Sequence, residues 1–312
     1  MKTFKLNNND QMPALGLGTW KSLRDKVYTT IIEAVKVGYR HIDCAYIYNN
    51  QAAIGHAINE VIGQGLVKRE ELWITSKLWN NSHREHEVGP ALQQTLDELQ
   101  LDYLDLYLMH WPIAFPSNIK HPENGSDFLS LDIVPLTETW KGMEAQVEKG
   151  LTKHIGVSNF NIPKLSLLLK NSNIAPEVNQ VESHPYLQQN KLLKFCQENG
   201  IIYTGYSPLG SGSNDEKIES LLESNIIIEI AKIHNATPAQ ILLQWAIQRD
   251  TAVIPKTVQK NRLTENFNSQ HISLSEKDLV NISSLEKGYR FIDGSFWMYE
   301  NSPYTLNALW NQ

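Results

Sequence analysis

The sequence predicts an α/β fold: a (β/α)8 TIM barrel with an N-terminal β-hairpin and a long C-terminal loop. Short runs rich in β-branched and aromatic residues alternate eight times with longer stretches of helical period. The length of 312 residues suits one large barrel. No proline- or glycine-rich linker divides the chain, so we expect a single barrel domain over residues 1–312.

The eight predicted strands are short and apolar. They cover residues 15–17, 41–43, 72–77, 104–109, 154–158, 178–182, 201–206 and 252–254. Amphipathic stretches between them predict helices over residues 25–37, 52–62, 88–99, 136–148, 162–169, 191–199 and 238–248, and Ser275 is a suitable N-cap for a last helix through residue 285. Parallel strands need crossover connections, and these helices supply them.

The main alternative is a doubly wound sheet that binds a dinucleotide. Such a sheet carries the pattern G-x-G-x-x-G after its first strand. Here Gly16 and Gly18 are followed by Thr19, Trp20 and Lys21, so the third glycine is missing. The barrel is therefore the favoured fold.

Three segments lie outside the strand–helix alternation. Residues 3–6 and 12–14, separated by a polar turn, predict the hairpin. Residues 112–134 form a polar insertion after the fourth strand, and the tail from residue 288 is aromatic without periodicity. Long irregular segments in compact domains are often functional, so we expect both to act as lids, and the tail to be a substrate loop.

Composition limits the possible partners and the compartment. The formal net charge is −6, from 28 Lys+Arg against 34 Asp+Glu, which counts against nucleic acid or an anionic membrane. Cys44 and Cys196 are too few for a disulfide framework. The N-terminus has no apolar core typical of a signal peptide, and no apolar run is long enough to span a membrane. We expect a cytoplasmic protein.

Four ionisable side chains lie at or just after the ends of successive predicted strands, where barrel active sites lie. They are Asp43, Tyr48, Lys77 and His110. A tyrosine pKa of ~10 is too high for proton transfer near neutrality, and a nearby ammonium lowers it. We expect Lys77, kept charged by Asp43, to act in this way on Tyr48, while neutral His110 polarises a carbonyl. The set predicts carbonyl reduction by a hydride donor.

Taken singly, each of these residues has a purely structural alternative. Asp43 with Lys77 is equally compatible with a buried ion pair. Tyr48 alone is more typical of core or interface, and a lone His110 is more typical of a hydrogen-bonded core residue. Their joint occurrence at strand ends favours the catalytic interpretation.

Motifs in the same order along the chain resemble the aldo-keto reductase family, near its aldose, aldehyde and xylose reductases. The motifs are Leu15-Gly-Leu-Gly-Thr-Trp-Lys21, Gly38-Tyr-Arg-His-Ile-Asp-Cys-Ala-Tyr-Ile-Tyr48, Ser76-Lys-Leu-Trp79, Leu104-Asp-Leu-Tyr-Leu-Met-His-Trp-Pro112, Gly156-Val-Ser-Asn-Phe160, Gly205-Tyr-Ser-Pro-Leu-Gly210 and Ile254-Pro-Lys-Thr257. The resemblance implies that Asp43, Tyr48, Lys77 and His110 are the catalytic tetrad, with Tyr48 as general acid.

The resemblance also implies NADPH as the cofactor. The matching positions are Thr19, Trp20 and Asp43 near the nicotinamide, Ser158, Asn159 and Gln180 at its carboxamide, Tyr206 stacked on its ring, Ser207, Leu209 and Ser211 on the pyrophosphate side, Lys256 and Arg262 at the 2′-phosphate, and Glu265 and Asn266 at the adenine. Thr257, which follows Lys256, is also expected to bind the cofactor. Two cations near one site suit a dianionic phosphate. Lys260 is better interpreted as part of a solvated helix face.

The expected substrate site is aromatic and selects apolar or amphipathic carbonyl compounds. It comprises Trp20, Tyr48, Trp79, His110, Trp111, Phe115 and Trp297. The xylose-reductase branch tends to have asparagine at position 292 and aspartate at position 47, where this chain has Ile292 and Ile47. This weakens a pentose assignment. The family commonly has glutamate where Gln51 stands, and the loop at residues 211–217 differs from well-studied relatives, so a contact between Asp215 and Lys21 is open.

The predicted function is NADPH-dependent reduction of aldehydes, with ketones or open-chain aldoses as further substrates. The rivals are a D-xylose or aldose reductase, a non-catalytic NADPH-binding subunit and a metal-dependent hydrolase. The ten histidines include no His-x-His pair, so we expect no metal. The expected partner is a small carbonyl compound, and the expected state is a monomer or weak homodimer.

Overall fold

A computed structural model describes residues 2–210 and 218–311. A two-stranded antiparallel hairpin, β1 (Thr3–Lys5) with β2 (Gln11–Pro13), precedes an eight-stranded parallel sheet. The strands of that sheet pair in chain order and are β3 (Leu17–Gly18), β4 (His41–Asp43), β5 (Trp73–Leu78), β6 (Leu104–Met109), β7 (Thr152–Ser158), β8 (Val178–Glu182), β9 (Ile202–Tyr206) and β10 (Ala252–Val253).

The sheet closes on itself where its first and last strands meet. Leu15 pairs with Val253 and Gly18 with Lys256, both in parallel. A Cβ atom on Gly18 would lie 2.6 Å from the carbonyl oxygen of Ile254, so only glycine allows this approach. We call these two pairs the closing seam. The predicted (β/α)8 barrel is confirmed.

Helices lie between successive barrel strands, and further helices follow the last strand. They are α1 (Arg24–Val37), α2 (Gln51–Gly63), α3 (Glu85–Leu99), α4 (Leu136–Glu148), α5 (Ile162–Asn171), α6 (Asn190–Glu198), α7 (Asn225–Ile233), α8 (Pro238–Gln248), α9 (Lys260–Phe267), α10 (Glu276–Ser283) and α11 (Leu306–Trp310). Helix α8 starts as its sequence predicts, because the hydroxyl of Thr237 accepts the backbone N–H of Gln240. The sequence patterns did not predict α7, α9 or α11.

The first barrel strand begins two residues later than predicted. Residues 15–17 were expected, and β3 comprises Leu17–Gly18. Leu15 instead contributes to the closing seam, since the N–H of the next residue donates to the carbonyl of Val253 at 2.8 Å. The other strands agree with the predicted ranges to within two residues.

The N-terminal hairpin covers the end of the barrel where the strands begin. Leu6 and Met12 pack in one apolar cluster with residues that open strands, namely Trp73, Val178, Ile202 and Ala252. His154 of β7 reaches the hairpin, because its Nε2 lies 3.0 Å from a carboxylate oxygen of Asp10 and its Nδ1 lies 2.6 Å from Glu177. The predicted hairpin is present.

At the opposite end, the insertion of residues 112–134 packs against the tail from residue 288. The hydroxyl of Tyr304 donates to the carbonyl of Leu129 at 2.7 Å, and the hydroxyl of Tyr299 donates to that of Pro122 at 3.0 Å. A Cβ atom on Gly125 would lie 2.0 Å from the carbonyl oxygen of Glu300. The two segments therefore form one wall above the barrel. No helix of the described residues is long and apolar enough to cross a membrane.

Candidate active site

A cavity of about 820 Å³ opens at the carboxyl ends of the barrel strands. Its base carries groups from several strand ends, among them Asp43 at the end of β4, His110 after β6 and Gln180 in β8. Its sides come from the insertion and the tail. The cavity lies where the sequence predicted the site, at the end of the barrel that carries chemistry in this fold.

A buried ion pair lies beneath this cavity. The Lys77 ammonium is 2.5 Å from Oδ1 of Asp43 and donates to the carbonyl of Cys44 at 2.8 Å. The second carboxylate oxygen of Asp43 accepts the Gln180 amide at 2.7 Å. Both partners of the ion pair are at most 2% exposed, so the pair is held in one geometry by protein groups alone. Cys44 packs beside it, and burial raises the pKa of its thiol.

Tyr48 lies beside the ion pair in a short 3-10 turn, residues 46–48. The Lys77 nitrogen lies 5.2 Å from the centre of its ring, and the His110 ring is 5.8 Å away, edge-on. Burial, followed by the charge of Asp43, raises the pKa of Tyr48 well above its ordinary value. This differs from the sequence-based prediction that Lys77 lowers the pKa of Tyr48, because burial disfavours the charged phenolate. The phenol is thus fully protonated near neutral pH.

His110 faces the same cavity as a neutral ring. Burial, and then the charge of Lys77, holds its pKa well below the usual range. Its Nδ1 is buried and has no partner among the residues described. An orphaned N–H costs more than an orphaned lone pair, so we place the proton on Nε2. His110 can then donate a hydrogen bond from Nε2.

The polar groups predicted to hold the carboxamide lie together on the next strands. The Ser158 hydroxyl donates to the carbonyl of Gln180 at 2.8 Å, and the Asn159 amide donates to that of His110 at 2.9 Å. The hydroxyl of Tyr206 donates to Asn159 at 2.7 Å. Asn159 and Ser207 both have positive φ, 64° and 49°, a conformation that is uncommon for residues other than glycine.

Two of the predicted phosphate cations lack a carboxylate partner among the described residues. Lys256 is exposed and lines the cavity next to the closing seam, and Arg262 is exposed on α9. Lys260, in contrast, pairs with Glu33 at 2.6 Å, as expected of a solvated helix face. Lys256 and Arg262, which have no carboxylate partner among the described residues, are suited to bind a dianionic phosphate.

Three other residues predicted to bind the cofactor, Thr257, Glu265 and Asn266, do not line the cavity. Thr257 is buried and its hydroxyl accepts the N–H of Gln259, while Glu265 accepts the Thr237 hydroxyl at 2.8 Å. Asn266 is buried in α9. Ser207 and Leu209 line the cavity. Ser211, and the Asp215 considered as a partner of Lys21, lie outside the described residues.

Aromatic side chains form the substrate side of the cavity. Trp20, Trp79, Trp111 and Trp297 line it as expected. Phe115 does not, because it is 1% exposed and packs behind Trp79 and Trp297. The insertion and the tail also contribute lining residues that were not predicted from the sequence, namely His121, Pro122, Phe296 and Tyr299. The aromatic content of the tail was a signal for Phe296 and Tyr299, although the sequence does not show which path the tail takes. No pattern in the insertion indicated His121 and Pro122. Within residues 2–210 and 218–311 no group of His, Cys, Asp or Glu is placed to hold a metal ion.

A parallel barrel with this tyrosine, lysine, aspartate and histidine around an aromatic cavity defines an oxidoreductase of the carbonyl-reducing class. Residues 14–287 match the Aldo/keto reductase family. The chain is 46% identical over 317 residues to the Aldo/keto reductase slr0942 of Synechocystis sp., covering 100% of this chain and 97% of that protein. It is 46% identical to Aldo-keto reductase family 1 member A1 of Xenopus tropicalis and 44% to that of Homo sapiens, over 92% of this chain and 89% and 90% of theirs. The chain belongs to the aldo/keto reductase family.

Proposed function

We propose that the protein reduces aldehydes to alcohols with NADPH, using Tyr48 as general acid. The observation that carries the proposal is one arrangement: the protonated phenol of Tyr48 lies beside the Lys77–Asp43 pair and neutral His110 on the wall of an aromatic cavity. Ketones are secondary substrates under this proposal. The four polar side chains supply what carbonyl reduction needs, an oriented carbonyl and a proton donor.

Each residue has a defined task in the proposed step. The Nε2–H of His110 donates to the substrate oxygen and polarises the carbonyl. When bound, the nicotinamide supplies a hydride to the carbonyl carbon. Tyr48 gives its proton to the oxygen as negative charge develops there, because an alkoxide is a far stronger base than a phenolate. The Lys77 ammonium then stabilises the phenolate, and Asp43 keeps the ammonium charged and in place.

The residues present fit NADPH. The polar groups of Ser158, Asn159 and Gln180 border the cavity and suit a carboxamide, while Tyr206 offers a ring face beside them. Lys256 and Arg262 suit the 2′-phosphate, which NADH lacks. This pair of cations is the reason to propose NADPH over NADH, with Thr257, Glu265 and Asn266 nearby in sequence at the adenosine end.

The aldehyde assignment is favoured over a sugar by the apolar lining. Ile47 and Ile292 both border the cavity, close to Trp79 and Trp297. Hydroxyl groups of an open-chain pentose would lose water there without gaining hydrogen bonds from these side chains. An apolar or amphipathic aldehyde loses little. We also propose that the chain acts as a single barrel domain in the cytoplasm, as a monomer or weak homodimer.

The decisive variant is Tyr48→Phe, which keeps the ring and removes the proton. We expect kcat to fall by about 10²–10⁴-fold, the usual size of a general-acid contribution, while NADPH binding measured by fluorescence stays within about twofold. Tyr46→Phe is the matched control, since Tyr46 lies two residues away and does not line the cavity. Retained activity in Tyr48→Phe would refute the role of Tyr48. A wild-type protein that binds NADPH but oxidises it with no carbonyl compound would instead be a non-catalytic subunit.

A further inference from the structure

A second buried carboxylate lies at the end of β8, outside the predicted catalytic set. The side chain of Glu182 is fully buried. Its Oε1 accepts the backbone N–H of Phe291 at 2.7 Å, and its Oε2 accepts that of Ile292 at 2.8 Å. These two residues belong to the tail. A carboxylate from a barrel strand therefore holds two consecutive backbone groups of an irregular segment.

His184 supplies a third hydrogen bond to the same carboxylate. Its Nε2 lies 2.7 Å from Oε1 of Glu182, and its side chain is also fully buried. Its Nδ1 has no partner among the described residues, so the proton belongs on Nε2, which donates to Glu182. The His184 ring also packs on Phe291, with ring centres 5.0 Å apart. Three donors thus converge on one carboxylate, and hydrogen bonds to a charged acceptor are stronger than neutral ones.

The segment held in this way leads into the substrate side of the cavity. Ile292 lines the cavity itself, and Phe296 and Trp297 follow within five residues. Gln180, two residues before Glu182 on the same strand face, bonds the catalytic carboxylate of Asp43 at 2.7 Å. One strand therefore carries both the group that orients Asp43 and the group that anchors the tail.

We propose that Glu182, supported by His184, is a positioning residue for substrate: it holds the tail segment bearing Ile292, Phe296 and Trp297, and thereby sets which carbonyl compounds the cavity accepts. This inference rests on the proposed reduction of aldehydes. Glu182 does not line the cavity, so it acts through the tail rather than by contact with substrate. Bulky aldehydes, which reach the tail, depend on it most.

The test is Glu182→Gln, with Glu144→Gln as matched control. Glu144 is also a buried carboxylate, and it accepts two consecutive backbone N–H groups, of Asn173 and Ile174, at 2.6 and 2.8 Å, away from the cavity. A glutamine retains one oxygen and turns an amino group toward any donor on the other side. Each oxygen of Glu182 accepts one backbone N–H, so Glu182→Gln must lose one of them. In Glu144 a single oxygen accepts both N–H groups, so Glu144→Gln controls for the loss of a buried charge and not for the loss of a backbone contact.

The readout is KM and kcat for a small and a bulky aldehyde, propanal and a biphenyl carbaldehyde. We expect Glu182→Gln to raise KM for the bulky aldehyde about tenfold, the worth of one charge-assisted hydrogen bond, with the values for propanal within about twofold. Glu144→Gln should leave the ratio of the two substrates unchanged although its unfolding midpoint falls too. Equal effects on both aldehydes in Glu182→Gln would overturn the proposal.

A measurement on the wild-type protein covers the case in which Glu182→Gln does not fold. The amide protons of Phe291 and Ile292 should exchange with solvent more slowly than that of Ser295, whose N–H bonds the exposed carboxylate of Asp293. Exchange as fast as at Ser295 would overturn the anchoring role. Wild-type protein that reduces neither aldehyde would refute the proposed function, and the exchange result would still stand on its own.

Discussion

Removal of the Lys77 ammonium tests whether this group compensates the buried charge of the Asp43 carboxylate. In Lys77→Met the side chain keeps its length, but the Asp43 carboxylate loses the partner 2.5 Å from its Oδ1. Asp43 is 1% exposed and retains the amide of Gln180 on its other oxygen. Breaking one side of a buried pair costs about 3–5 kcal/mol, because the remaining charge is unpaired away from water. We expect Lys77→Met to lose that much stability.

The double variant Asp43→Asn/Lys77→Met removes both charges at once. We therefore expect it to be more stable than the sum of the single variants predicts, by about 2 kcal/mol, the usual coupling between residues in direct contact. Its activity should stay as low as that of Lys77→Met, because the phenolate of Tyr48 has no ammonium in either protein. Recovery of stability without recovery of turnover is the signature of this arrangement.

The assay is urea unfolding of the wild type and the three variants, followed by tryptophan fluorescence and circular dichroism, with kcat measured on the same preparations. The reasoning would be refuted if the losses in unfolding free energy of the two single variants simply added in the double variant and Lys77→Met unfolded at the same urea concentration as the wild type. That result would mean that water, not Lys77, compensates Asp43.

Three further predictions concern other parts of the molecule. Lys256→Ala should raise KM for NADPH about tenfold and leave KM for NADH within about twofold in steady-state assays, and equal changes would contradict a phosphate role. Burial opposes the charge of His154, but its hydrogen bonds to the carboxylates of Glu177 and Asp10 raise its pKa above the ordinary 6.5. The stability that His154 contributes is therefore fully present below its ordinary pKa of 6.5 and is lost as the pH rises through its raised pKa in the folded protein. In urea unfolding, His154→Gln should therefore lower the free energy of unfolding more at pH ~6 than at pH ~9. A pH-independent cost would contradict this sign. Gly125→Ala should cost about 1–3 kcal/mol and expose the tail to protease, because the added methyl group overlaps tail backbone; unchanged cleavage would argue against the shared wall.

Local pattern predicted the barrel strands well, because strands buried on both faces are short, apolar and bounded by polar turns. It failed where tertiary contacts decide the outcome. Helix α7 contains the consecutive residues Ile226, Ile227 and Ile228, which favour a strand by local preference. They are helical because Ile227 and Ile230 both pack into the core. The start of β3 was misplaced for a similar reason, since Leu15 pairs with a strand more than 200 residues away.

The groups that we propose as catalytic could be located from the sequence because each lies at or just after the end of a strand, and barrel geometry brings strand ends together. The direction of the Tyr48 pKa was not, because it depends on how much protein surrounds the phenol, and spacing does not report burial. For the same reason the sequence placed Phe115 in the cavity wall, whereas the structure places Phe296 and Tyr299 there. The tail follows hydrogen bonds to Glu182 and Leu129, which no periodicity encodes.

The closing seam has a consequence for how the chain reaches its native state. It joins Gly18 to Lys256, positions separated by 256 − 18 = 238 residues. Contacts so remote in sequence carry a high entropy cost of loop closure. During synthesis, β3 therefore has one edge without a neighbour until β10 has left the ribosome. Lys256, which we propose binds the cofactor phosphate, thus lies at a contact that closes the barrel. A bound dinucleotide would therefore stabilise the closed barrel relative to partly folded chains by mass action.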